Sequence, residues 1–232
     1  MNISKARTQV LNGIDVSYFN GKANLDNQDF IIIRASYGNA PDTKYAFHYG
    51  YARKANVVIG AYHFGVGYIP VYLQVNAFLS IAKDADFFAL DLEYDKNGPM
   101  SIAQAMEFIA QVKKARPDKK IGLYHSRSGF PLNLGQDFNW VADWGNKTPP
   151  NIPWTFWQWQ GSPLDRDYFN GTIEDLSVLA QKPIPVPKNT TLYAHKADTE
   201  GIGTLTQDYS MIPRKIVGKW ILGTVSVWIK KP

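Results

Sequence analysis

A chain of 232 residues, 45% hydrophobic and 19% charged, can bury a full core, which excludes a disordered polymer and allows one large domain with or without a small companion. Its 25 Lys and Arg against 20 Asp and Glu leave a formal charge of +5, which favours a polyanionic partner such as nucleic acid, anionic lipid or an acidic cell wall. Cysteine is absent, so neither disulfides nor thiolate chemistry contribute.

The opening "MNISKARTQVLNG" lacks the apolar core of a signal peptide, and no apolar run later in the chain reaches the ~18 residues of a membrane span. The expectation is synthesis in a cytoplasm, with any action outside a membrane depending on release by another agent. β-rich apolar runs then recur between turn residues: "GIDVSYF" (Gly13–Phe19), "FIIIRASYG" (Phe30–Gly38), "VVIGAYHFG" (Val57–Gly65), "FFALDLEY" (Phe87–Tyr94), "IGLYHS" (Ile121–Ser126), "FNWVADW" (Phe138–Trp144) and "TFWQWQ" (Thr155–Gln160). Their apolarity is continuous rather than alternating, as in strands covered on both faces. Helical segments precede the third, fourth and fifth runs. In the last of these, Ile102, Ala105, Met106, Ile109 and Val112 fall at helical spacing, with Ser101 as N-cap and Pro117 just past the end. Alternation of helix and strand predicts an α/β fold, and the thinning of helices after residue 121 predicts an irregular barrel.

"QKPIPVPKN" (Gln181–Asn189) has prolines at alternate positions, as expected of a stiff extended linker. The predicted organisation is a barrel over 1–181, a Pro-rich linker over 182–189, and a β-rich module over 190–232. That module is all-β and of SH3-like size, with Arg214, Lys215, Lys219, Lys230 and Lys231 giving it basic charge.

Acids stand out against this apolar background. Asp91 and Glu93 lie at i and i+2 at the end of a strand-like run, so both side chains take one face. At the C-terminal end of a barrel strand that face opens onto the site. Two neighbouring carboxyls cannot both ionise freely, so one keeps a proton as a general acid while the other stabilises positive charge. Glycoside hydrolysis needs that division. A pair of surface acids or of calcium ligands fits Asp-x-Glu equally well. Asp15, in the first run, and Asp165, with its competitor Asp167 two residues on, add further acids.

The ordered set "GIDVSYFNG", "FIIIRASYG", "GAYHF", "FALDLEY", "GLYHS", "WVADW", "WQWQG" and "LDRDYFNG", spanning about Gly13 to Leu179, resembles the glycoside hydrolase family 25 lysozymes. The resemblance implies a TIM-like, irregular (β/α) barrel of β5α3 type and a muramidase that cuts peptidoglycan between N-acetylmuramic acid and N-acetylglucosamine, as a phage or prophage endolysin does. It implies Glu93 as general acid, Asp91 as stabiliser of the transition state or orienter of the 2-acetamido group, and Asp15 and Asp165 as further members of the acidic cluster. Arg34, Tyr62, His63, Tyr124, Trp157 and Gln158 fall where strand ends would face a groove, with Trp140 beside them; the two histidines His63 and His125 read better as hydrogen-bonders than as bases. "RASYG", where many relatives carry Lys and then an acidic or Gln residue, and Trp144, where Tyr is common, depart from the family pattern. After the linker, the basic module resembles the wall-binding modules of phage lysins.

No cofactor or metal is expected, since no His, Asp or Glu cluster has ligand spacing and no glycine-rich phosphate loop occurs. A monomer is expected. Rival readings are another N-acetylhexosaminidase of chitinase type and a non-catalytic wall-glycan binder; a nucleic-acid binder finds support in charge alone.

Overall fold

The computed structural model describes residues 10–182, 184–186, 191–192, 203–204, 209–217 and 220–225, with side chains to residue 182. The chain divides into two units, 1–172 and 173–232.

In the first unit, strands β1 (Leu11–Val16), β2 (Phe30–Tyr37), β3 (Ala40–Pro41), β4 (Val58–Phe64), β5 (Phe87–Asp91), β6 (Ile121–Ser126), β7 (Phe138–Ala142), β8 (Phe156–Gln160) and β9 (Asp165–Phe169) form one sheet. It runs in the order β1-β9-β8-β7-β6-β5-β4-β2, and pairing of β1 with β2 closes it into a barrel, with the short β3 appended to β2. The barrel strands β1, β2 and β4 through β8 pair in parallel, whereas β9 runs antiparallel to both β8 and β1, and β3 antiparallel to β2. Three helices, α1 (Tyr45–Ala55), α2 (Val71–Ala82) and α3 (Ile102–Ala115), precede β4, β5 and β6, where helical periodicity places them. After β6 strand follows strand, because the connecting stretches carry helix breakers: Gly129, Pro131 and Gly135 before β7, and Gly145, Pro149, Pro150 and Pro153 before β8.

Strand β9 has no counterpart among the runs read from the sequence. "DRDYF" carries a charge at each of its first three positions, which resembles a loop, yet alternation puts Asp165, Asp167 and Phe169 on one face and Arg166 and Tyr168 on the other. Asp165 and Asp167 find a polar interior to occupy, so the strand is possible only once the barrel exists.

The helix α3 begins in a full capping box, Ser101 accepting from the Gln104 amide while the Gln104 side chain accepts from the Ser101 amide. Its buried face (Ala105, Phe108, Ile109, Val112) joins α1, α2 and the outward-facing strand residues Ile31, Ile33, Ile59, Phe88 and Leu90 in the layer between helices and barrel. A second apolar layer fills the barrel itself. Phe30, Phe87, Phe138, Phe156 and Phe169 pack ring against ring, with centroids 5.1–5.6 Å apart. Glycines make room for these rings: a Cβ at Gly13 or Gly122 would overlap the ring of Phe30 or Phe138.

Acids at the N-terminal ends of the strands are structural. Asp29, Asp86 and Asp137, each just ahead of a strand, accept from the amides of Asn12, Ile59 and Ile121 on the neighbouring strand. They stitch the closed end, and the acids at the opposite end are left for other work.

The second unit contains helix α4 (Ile173–Ala180) and strands β10 (Ile184–Val186), β11 (Thr191–Leu192), β12 (Gly203–Thr204), β13 (Tyr209–Val217) and β14 (Trp220–Val225). The order β10-β13-β14 and the pair β11-β12 are antiparallel throughout. Ile184–Val186, within the Pro-rich segment, is a paired edge strand, where Pro185 is tolerated; Pro183 and Pro187 lie outside the described residues. The SH3-like reading of the 190–232 module, and its basic residues at Lys219, Lys230 and Lys231, lie in part outside the described residues. Among the described residues no helix is long and apolar enough to cross a membrane.

Candidate active site

Above the phenylalanine layer, the C-terminal ends of the parallel strands and the start of β9 enclose a cavity of about 250 Å³. Asp15 (β1), Tyr62 (β4), Asp91 (β5), Tyr124 (β6) and Gln158 (β8) reach it from strands, Asp165 from the first position of β9, and Glu93 from just past β5. Asp15 and Asp165 stand directly opposite in the β1–β9 ladder. Seven of the ten residues read from the sequence as site residues therefore converge here. Trp140 and Trp144 also line the cavity.

Three candidates lie elsewhere. Tyr62 faces the cavity, so its neighbour His63 points outward: it is fully buried, bonded to Ser36 and Gln74 at 2.8 and 3.0 Å, and stacked on Phe108 of α3. Burial pushes its imidazole down to about 4, and its place between barrel and helices makes it a structural residue rather than a substrate ligand. Trp157 is turned out in the same way by its neighbour Gln158; it donates to the Asp143 carbonyl at 3.0 Å and packs on Trp154 and Tyr168. Arg34 is buried beside the cavity, lining an adjacent cleft. Period-2 alternation could have separated Tyr62 from His63 and Gln158 from Trp157, since neighbours on one strand cannot share a face.

Gln158 organises the cavity floor. Its Nε2 donates to Asp15 Oδ2 at 2.7 Å, while its Oε1 accepts from Tyr124 at 2.9 Å and from Trp144 Nε1 at 2.8 Å. Below them Asp167, treated in the sequence as a rival to Asp165, shares its face and the interior. It accepts from Trp140 Nε1 at 2.6 Å and hydrogen-bonds Asp15. Two carboxyls can bond only through a shared proton.

All five acids are held above the ordinary carboxyl range, chiefly by burial. Asp15 is raised further by Asp167 and Asp165, Asp91 by Glu93, and Asp165, at about 6, by Glu93. Burial likewise raises Glu93, although this residue is exposed at the mouth, and a hydrogen bond from Asp91 offsets part of that rise. Arg34 pulls Asp91 back down in part. Asp91 and Glu93 thus form a second proton-sharing pair, with the proton favoured on the more deeply buried Asp91. One oxygen of Asp91, Oδ1, is buried without a hydrogen-bond partner. Among the described residues no group of three or more His, Asp or Glu could hold a metal ion.

Asp167 makes a stability prediction. Its carboxyl titrates near 7 in the folded chain against an ordinary 3.8, so the stability it confers is complete below about pH 4 and is lost as pH rises through about 7. Asn would keep the acceptor for Trp140 and offer an amide to Asp15. Asp167→Asn should therefore flatten the fall of melting temperature between pH 4 and 8, and melt higher than wild type at pH 8. Parallel melting curves across that range would refute the raised titration of Asp167.

A closed β/α barrel with carboxyls gathered at the C-terminal ends of its strands is the framework of a glycoside hydrolase. Residues 14–167 match glycosyl hydrolases family 25, and the chain belongs to that family. The first unit is similar to a bacterial lysozyme from Streptomyces coelicolor (27% identity, TM-score 0.63, covering 75% of this chain and 98% of that one). It is similar also to a family 25 lysozyme from Aspergillus fumigatus (25% identity, TM-score 0.65, covering 74% and 99%). The catalytic domain of an endolysin from a bacteriophage of Listeria monocytogenes shares the fold at 24% identity, with TM-score 0.63 over 74% of this chain and 97% of that one. No curated protein sequence matches the chain.

Proposed function

We propose that the chain is a muramidase that hydrolyses the β-1,4 bond between N-acetylmuramic acid and N-acetylglucosamine in peptidoglycan, with Glu93 as general acid and Asp91 as the group that orients the substrate's 2-acetamido function. The observation that carries this reading is the Asp91–Glu93 pair: two neighbouring carboxyls at the cavity, both raised by burial, and one buried oxygen of Asp91 that no amide, hydroxyl or indole of the described residues donates to. An acetamido N–H delivered to that oxygen favours Asp91 as carboxylate, so the shared proton moves to Glu93, at the exposed mouth where a glycosidic oxygen arrives.

Asp15 and Asp165 hold the sugar from the opposite wall, Tyr124 and Gln158 complete the polar floor, and Trp144 offers an aromatic face at the rim. The two lysozymes matched at 25% identity or more support the substrate class. Within this reading the chain acts as an endolysin after release from the host cell. Its Pro-rich segment and basic C-terminal region would hold it on the wall, raising its local concentration at the polymer. Reducing-end analysis of digested peptidoglycan tests the assignment: muramic acid at the new ends is the expected result, and glucosamine ends would refute it in favour of a glucosaminidase.

A further inference from the structure

Beside the catalytic cavity, a separate cleft of about 440 Å³ opens between two aromatic pairs. Tyr18 and Phe19, just past β1, form one wall with ring centroids 3.9 Å apart, and Phe19 is 74% exposed. Tyr37 and Phe64, at the ends of β2 and β4, form the other, stacked at 5.0 Å and 23°. The hydroxyl of Tyr37 is spent on Asp95, so this wall presents ring faces and no donor.

Arg34 lies at the floor, 8% exposed, and is the one cation lining either cavity. Its Nε is fixed on Asp42 at 2.8 Å, and Asp42 is itself fastened by the amides of Tyr18 and Lys44. The guanidinium carbon sits 4.8 Å from the Tyr18 ring centroid and 5.6 Å from that of Phe19. Among the described residues nothing accepts from its two terminal nitrogens. A buried guanidinium held through Nε alone, with both terminal nitrogens unspent between aromatic faces, is built to receive an oxygen acceptor on an apolar chain.

The two cavities differ in chemistry. Carboxyls, an amide and phenols line the catalytic one and suit sugar hydroxyls, whereas the cleft offers hydroxyl groups few partners. Arg34 joins them, lying close enough to Asp91 to act on its charge.

We propose that this cleft takes the 3-O-lactyl group of the muramyl unit together with the start of its stem peptide, Arg34 donating to the lactyl acyl oxygen and the aromatic pairs enclosing the alkyl part. This rests on the muramidase reading and names what the enzyme recognises besides the sugar backbone. Phe19, Tyr37 and Arg34 then become specificity-determining residues. The "RASYG" motif, a departure from the family pattern, supplies Arg34 and Tyr37 to the cleft.

Phe19→Ala removes an exposed wall, and Thr43→Trp, from the exposed rim, fills the cleft; neither residue touches the catalytic acids. Steady-state kinetics on peptide-bearing glycan strands and on amidase-stripped strands that keep the lactyl carboxylate would be compared. N-acetylglucosamine oligomers, which lack the lactyl group, would serve as competitive inhibitors. Both variants should raise KM for peptide-bearing strands about tenfold, with kcat and the inhibition constants unchanged within about twofold. Loss confined to peptide-bearing strands identifies lactyl plus peptide as the occupant, and equal loss on stripped strands identifies the lactyl carboxylate alone; either result supports the cleft. Unchanged KM on both, or equal weakening of the oligomers, overturns it. Failure of the wild-type chain to release muramic acid ends would instead remove the underlying muramidase reading.

Discussion

Glu93→Gln should lower peptidoglycan turnover by roughly 100- to 10,000-fold, the range that a general acid supplies. Glutamine matches glutamate in volume and still offers a hydrogen bond to the glycosidic oxygen, but it has no transferable proton. Because the side chain is exposed at the mouth, its replacement should leave the melting temperature close to that of wild type. A substrate with an aryl leaving group, which departs without protonation, should recover much of the lost rate. Wild-type activity should fall on its alkaline side as the Asp91–Glu93 pair loses its proton, above the ordinary carboxyl range, because burial raises both groups. Clearing of a cell-wall suspension at wild-type rate by Glu93→Gln would sink the assignment and move the acid to Asp165, whose carboxyl titrates near 6 and which lines the same cavity.

Asp91→Asn should cost roughly 100- to 1,000-fold in kcat, the usual loss on removing one preorganised electrostatic contact to a developing charge. Asparagine keeps the shape of the site and cannot become an anion, so the acetamido group loses its orienting partner while the sugar keeps its contacts with Asp15, Tyr124 and Gln158. Adsorption to insoluble cell walls should persist in a pull-down, and KM on soluble fragments should change far less than kcat. The variant should also melt no lower than wild type at pH 7. In the folded chain Asp91 is buried beside a second acid, and its raised pKa means that ionisation there costs stability as pH rises. Equal losses in binding and in rate would show that Asp91 holds the substrate rather than its transition state.

These two variants act on residues that were legible before any coordinates, for a physical reason. Carboxyls at i and i+2 ending an apolar run are out of place in a buried strand, and burial without partners is costly enough that such a pattern needs a cause. The helices were legible too: Ser101, Pro117 and the apolar face of α3 declare themselves locally. Strand β9 was not. Its alternation of Asp165, Arg166 and Asp167 has the look of solvent-facing polarity until the barrel provides a polar interior on one side. His63 and Trp157 were misplaced for the opposite reason: proximity in sequence to a site residue suggested proximity in space, whereas the pleat turns adjacent residues to opposite faces.

The amino-acid sequence alone determined the repeated strands, three helices in order, the lack of thiol chemistry and the identities of the acids, because each is a property of composition or of a short period along the chain. Only the tertiary structure decided which acids share a proton. It brought Asp167 beside Asp15 from the neighbouring strand and set Gln158 between Asp15, Tyr124 and Trp144. It also placed Arg34 in a cleft beside the catalytic cavity rather than inside it. Those relations depend on barrel closure, which brings together residues more than a hundred positions apart, and closure depends on strand register and side-chain volume that no local stretch encodes.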